Sequence, residues 1–330
     1  MSDPDVSSKY LPAVVGSRAR ELNLDAETAI SPEELALPGG EYGIFVCAPS
    51  DASESLELLQ SLREHSDHSG VLAVSVPPSG VSCPGASVSS PWLLARLVAL
   101  SRSTPLRLVP DGPGRGLVAR AMEGRLLPLF VHNVNNLMVG AMGNLDLARL
   151  FSDDADRCRD KLDDAASAMG RLSDFMSDLG RISQSLPDGG APASWGDLRT
   201  VSTIGRLASG RSVSFHVKPA ELSPSLPVYN HSLFSGRAFR SICSGLVAAA
   251  LLAVQGCGEI ELDADPGIPS VGLRWKREKQ DGAPSADIGT SVHCLASAIS
   301  CLPSNSGALS IPSWNDRGGT AALLPGSPSS

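Results

Sequence analysis

Hydrophobic and polar positions divide the chain into three zones. Up to about residue 112, Tyr42–Ala48 (YGIFVCA) and Val71–Val76 (VLAVSV) are short apolar runs bounded by turn residues, the pattern of buried strands. Between them, Ser53–Arg63 (SESLELLQSLR) carries apolar residues at helical spacing, and this β-α-β order predicts a small α/β domain with parallel pairing. Pro77–Pro91 is rich in Pro, Ser and Gly and reads as loop, and Trp92–Leu100 reads as a second helix.

The second zone is almost purely helical in pattern. Leu127, Val131, Val134, Met138, Ala141, Leu145 and Ala148 follow one another at alternating steps of 4 and 3 residues. Cys158, Leu162, Ala165, Met169, Leu172, Met176 and Leu179 repeat the pattern. Such heptad seams belong to helices that pack along their length. Between them, Phe151–Asp156 supplies Ser and Asp suited to end one helix and cap the next. Two helices cannot bury both of these faces alone, so the pattern predicts a homodimer forming a four-helix bundle. Pro128 lacks a backbone donor and should kink the first helix, so the regular part is expected from near Leu129. The breaker Pro187–Gly190 opens a third zone of mixed helical and strand-like pieces, which ends in a Pro/Ser/Gly tail expected to be disordered. No internal repeat is evident.

Composition changes this picture little. The 330 residues suffice for two or three compact domains, with 4% aromatic content, so cores must be built from Leu, Val, Ile, Ala and Met. A formal net charge of -8, with no Lys/Arg-rich block, argues against nucleic acid as a partner. No secretory signal or run of about 18 apolar residues is found, so no membrane anchor is expected. The seven cysteines are dispersed without a C-x-x-C pair, which fits reduced thiols in a cytoplasm and no metal site.

His132 lies one position past the seam residue Val131, at the edge of the expected bundle, and Asn136 shares its face one turn later. Asn133 and Asn135 crowd the same turn, a poor choice for helix stability that suggests another gain. The segment Phe130-Val131-His132-Asn133-Val134-Asn135-Asn136-Leu137-Met138, followed by Gly140–Leu147, resembles the histidine box of sensor histidine kinases. That resemblance implies that His132 is the phosphoacceptor and that Asn136 orients a water for dephosphorylation. Neutral imidazole is a suitable nucleophile. Where the family has an acid, this chain has Asn133, and an amide cannot take up the imidazole proton. Losing a general base typically costs about 10²–10⁴ in rate. His132 could still accept a phosphoryl group from an activated donor such as an aspartyl phosphate.

Residues 195–325 resemble the ATP-binding α/β sandwich of the same family in layout. Val213–Val217 and Phe239–Val254 match its early strand and metal-binding helix, Gly258–Leu262 and Ser270–Trp275 the next strands, and Ile288–Leu302 a later helix. Ser306–Leu324, followed by Pro325, matches the closing hairpin. The position of the family's metal-binding asparagine falls at Ala249, and no Asn, Asp or Glu occurs from Phe239 to Val254. Asp281-Gly282-Ala283 and Asp287-Ile288-Gly289 are only fragments of its adenine-binding element, and no second Gly-rich cradle precedes Ser291. Phosphoryl transfer from ATP rests on positioning and electrostatics, so losing metal ligand and cradle together predicts no ATP or Mg²⁺ cofactor. His216, His231 and His293 have no metal-like spacing.

Ile44–Gly80 and Leu94–Asp111 resemble the first third of the chemotaxis methylesterase fold. Ser50 falls in the nucleophile turn but lacks the glycines, and no histidine occurs near Ser75–Pro78, with His65 and His68 in the preceding turn. This implies a non-catalytic input or docking domain. The chain is thus expected to be an α+β multidomain protein. It has a small α/β domain (1–112), a dimerisation and histidine phosphotransfer hairpin (113–187), a degenerate histidine-kinase-like ATP-binding sandwich (188–325) and a tail (326–330). The reading that follows is a cytoplasmic two-component phosphorelay protein. Its His132 would exchange phosphoryl groups with receiver-domain aspartates of response regulators, without nucleic acid, membrane or ATP. The alternatives are a divergent sensor kinase that autophosphorylates His132 using ATP and Mg²⁺, and a pseudokinase scaffold in which the hairpin only dimerises.

Overall fold

A computed structural model describes residues 10–35, 41–64, 71–79, 81, 83–108, 113–184, 192–209, 213–218, 231–254, 257–265, 270–278, 287–302 and 308–324. The fold is α+β, with an α/β region at each end of the chain and a long helical hairpin between them. In the first region, β1 (Leu11–Val15), β2 (Glu27–Ala29), β3 (Tyr42–Cys47), α1 (Ala52–Glu64), β4 (Ala73–Ser75), β5 (Gly85–Val88) and α2 (Pro91–Ser103) follow in order. The strands are parallel and lie in the order β2-β1-β3-β4-β5, a doubly wound arrangement. β3 is buried along its whole length, which is why its sequence is a continuous apolar run rather than an alternation.

The hairpin consists of α3 (Pro113–Leu150) and α4 (Ala155–Gln184). Asp154 caps α4, its carboxylate accepting from the Arg157 amide at 3.2 Å. Contrary to the expected start near Leu129, α3 runs unbroken through Pro128. The fully buried Leu126 and the nearly buried Phe130 bracket Pro128, and Phe130 meets Phe175 of α4 edge-on with ring centroids 6.3 Å apart. Packing on both sides of the proline offsets the one lost hydrogen bond, which a helix by itself could not do.

The last region contains β6 (Pro192–Ala193), α5 (Trp195–Ser209), β7 (Val213–Lys218), β8 (His231–Ser235), α6 (Gly236–Val254), β9 (Gly258–Asp265), β10 (Ser270–Arg277), α7 (Ile288–Ser300), β11 (Ala308–Trp314) and β12 (Gly318–Leu324). Its main strands continue the first region's sheet as β11-β12-β10-β9-β7, while β6 and β8 pair separately. The join is a parallel pairing of β5 with β11. β5 sits inside Pro77–Pro91, the stretch expected to be loop. Its four small residues carry no periodic signal, and pairing on both edges makes it a strand. Ser90 secures the junction: its hydroxyl donates to the Trp314 carbonyl at 2.7 Å and also accepts from the Leu93 amide at the start of α2.

One hydrophobic core therefore runs from Ile44, Val46 and Leu97 to Phe239, Leu295 and Trp314, while a smaller core lies under α1. The helix α6 is its axis. By length and composition it could cross a membrane, contrary to the expectation that no segment could, but it is almost entirely buried inside the fold.

Candidate functional site

His132 and its neighbours stand on α3 about midway along the hairpin. The ring of His132 is exposed, and the Asn136 amide nitrogen lies 3.0 Å from its Nε2. An amide nitrogen only donates, so Nε2 accepts, and in the neutral ring Nδ1 then carries the proton. The pair predicted to share a face is thus in contact. Asn135 is exposed on the same turn. Asn133 points elsewhere: its amide nitrogen donates to the Leu207 carbonyl of α5 at 2.7 Å. No local pattern signals this partner, because Leu207 lies 74 residues away.

The heptad seams divide in two. Val134, Ala141 and Ala148 of α3, with Cys158, Ala165, Leu172 and Leu179 of α4, are wholly or partly buried. The intervening Leu127, Val131, Met138 and Leu145, with Leu162, Met169 and Met176, are exposed. From Val131 onward, alternate seam residues thus form a second apolar stripe along the hairpin, next to His132.

Where a metal ligand was expected on α6, the helix is closely packed. Ala248, Ala249 and Ala250 have no exposed surface, and the Ser291 hydroxyl of α7 donates to the Ala249 carbonyl at 2.7 Å. Asp287 caps α7, its carboxylate accepting from the Thr290 amide at 3.0 Å, and hydrogen bonds from the Thr290 hydroxyl and amide lower its pKa. Asp281–Ala283 lies outside the described residues. Arg125 of α3 reaches α7, donating to Cys294 Sγ at 3.6 Å, and burial together with Arg125 lowers the pKa of His293.

The other sequence candidates are not brought together. Ser50 donates to the Glu54 carboxylate at 2.7 Å and has no histidine partner among the described residues, which do not include His65 and His68. His216 sits 3.6 Å from Glu259 on the sheet's solvent face, and His231 is in β8. Among the described residues no group of three His, Cys, Asp or Glu side chains could hold a metal. Five cysteines are buried, and burial pushes the Cys47 thiol up to about 12. A cavity of about 600 Å³ lies against α5, β7 and β9, lined by Arg199, Arg206, Phe215, His216 and Lys218 among others, with no residue from the hairpin.

No protein-family model and no curated protein matches the chain. Among solved structures, a bacterial phosphotransferase is 12% identical, with 62% of this chain and 95% of that one aligned at a TM-score of 0.31. The histidine kinase AdeS of Acinetobacter baumannii is also 12% identical, with 58% of this chain and 95% of that one aligned at a TM-score of 0.27.

Proposed function

We propose that the chain is a two-component phosphotransfer protein, in which His132 takes a phosphoryl group from, and returns it to, receiver-domain aspartates without using ATP. The observation that carries this reading is the exposed His132 ring with Asn136 on its Nε2. With Asn136 donating to it, Nε2 carries a lone pair rather than a proton. In the transfer, Nε2 forms a bond to phosphorus as the P–O bond to the aspartyl carboxylate breaks, and the carboxylate leaves with the bonding pair. The proton already on Nδ1 can leave to solvent, so no base has to act on Nε2. An acyl phosphate is an activated donor, which suits a site whose neighbouring residue is Asn133 rather than an acid. Asn136 yields the lone pair as phosphorus approaches and then faces the phosphoryl oxygens as a donor.

Two further features support the reading. Ala249 is sealed beneath Ser291, where a metal and triphosphate would need space and oxygen ligands. The exposed half of both seams is an apolar stripe with heptad spacing, complementary to a copy of itself, so the protein is proposed to act as a homodimer with a four-helix core. On this proposal ATP and Mg²⁺ are not cofactors, and the protein works in the cytoplasm.

The test is transfer of label from a ³²P-labelled receiver domain to the purified protein. Transfer to wild type but not to His132→Ala supports the proposal. Labelling of wild type by γ-labelled ATP alone would instead establish the kinase alternative, and no labelling by either donor would leave the dimeric scaffold.

A further inference from the structure

The residue after His132 stands where the resemblance implies a base, yet its side chain is engaged in a different contact. The Asn133 amide nitrogen is 2.7 Å from the Leu207 carbonyl oxygen, in a partly buried setting. Leu207 lies in the last turn of α5, whose final carbonyls have no partner within the helix. Leu207 and Ala208 are both buried, so water has little access to replace a lost donor there. A carboxylate at position 133 could not donate, and it would set a negative charge against the negative end of the helix dipole. The contact requires a donor, which an amide supplies and an acid does not.

Around this bond the hairpin and the C-terminal region are packed together. Leu126 and Phe130 belong to the main core, and Leu129, Val134 and Leu179 lie against it. Asn133 is a polar member of this contact and the immediate neighbour of His132.

We infer that Asn133 is a positioning residue: it clasps the hairpin to the C-terminal end of α5 and thereby fixes the turn of α3 that presents His132. Its functional consequence rests on the phosphotransfer reading, whereas the clasp itself does not. A histidine fed by its own nucleotide domain needs that domain to swing toward it. A histidine that serves a separate protein gains instead from a surface held in one orientation, and the clasp supplies that.

The experiment compares wild type with Asn133→Asp, which is isosteric but lacks the donor, and with Asn133→Ala. Hydrogen exchange of the full-length protein is read at residues 205–209 and 130–136, and labelling of His132 is read with phosphoramidate and with a phosphorylated receiver. Phosphoramidate needs only the imidazole, whereas the receiver also needs the surface around it. Loss of the clasp should speed exchange in both segments about fivefold, the scale of one hydrogen bond. It should raise the KM for the receiver and leave phosphoramidate labelling unchanged. Unchanged exchange in both variants overturns the clasp. Faster transfer from the receiver in Asn133→Asp than in wild type overturns it too, since a carboxylate base would then matter more than the contact. If no variant or wild type is labelled by either donor, the phosphotransfer reading fails, while the exchange data still decide the clasp.

Discussion

The Ser291 hydroxyl donates to the Ala249 carbonyl at 2.7 Å, and both residues are almost without exposed surface. The bond joins α7 to α6 along a closely packed stretch of alanines. A helix composed largely of Ala, Leu, Val and Ser along this face can approach its neighbour closely. The close approach leaves no room at Ala249 for a larger polar side chain.

An amide at position 249 should therefore damage the fold. Ala249→Asn introduces an amide into a filled space with no partner, and should cost about 2–4 kcal/mol from overpacking and unsatisfied polar atoms. Denaturant unfolding measures that cost, and calorimetry with ATP and Mg²⁺ should still record no binding. A stable Ala249→Asn protein that binds nucleotide would mean that the cleft can open.

The exposed apolar stripe predicts the oligomer. Met138 and Met169 occupy outward seam positions on α3 and α4. Replacing both with Glu would force four carboxylates into a dimer interface, and should weaken association by about 3 kcal/mol or more, on the order of a hundredfold. Light scattering at micromolar concentration should record a dimer for wild type and a monomer for the double variant. A wild-type monomer would refute the bundle.

Arg240 of α6 and Asp197 of α5 form a buried ion pair, and the Ser194 amide and hydroxyl also donate to Asp197, at 2.8 and 2.9 Å. Gly236 packs against the same carboxylate so closely that a β-carbon would lie 2.9 Å from Oδ2. Arg240→Met leaves the carboxylate buried without its cation and should destabilise by about 3–5 kcal/mol. Adding Asp197→Asn should restore part of the loss, which a double-mutant cycle in urea will measure.

Glu54 ties together the loops after β1 and β3. Burial works to raise its pKa, but backbone and hydroxyl donors from Ser50 and Ser17 outweigh it and hold the group at about 2, against an ordinary 4.5. A carboxylate with a lowered folded-state pKa contributes stability that is complete above about 4.5 and disappears as pH falls toward about 2. Thermal unfolding should show wild type losing its advantage over Glu54→Gln across that window. A constant difference between the two would exclude the linkage.

Much of the architecture was legible because its signals are local. The two heptad seams, the Asp154 cap, the continuous apolar run of β3 and the apolar helix α6 each follow from a few neighbouring residues. The contact of His132 with Asn136 was legible for the same reason, since residues four apart share a helix face. The short strands β1, β2 and β5 were not, having three to five residues each and little periodicity. The partner of Asn133 was equally hidden, because a side-chain amide indicates a capacity to donate but not the acceptor.

The sequence by itself determined which segments become helix or long strand, where the histidine sits on its helix, and that α6 carries no Asn, Asp or Glu. These are properties of residue type and spacing. Only the tertiary structure decided that β5 meets β11, so that both ends of the chain share one sheet and one core. It also decided which seam residues face inward, that Ser291 covers Ala249, and that Asn133 bonds Leu207. Each of these depends on groups distant in sequence being brought within a few ångströms, and no local pattern encodes a distance of that kind.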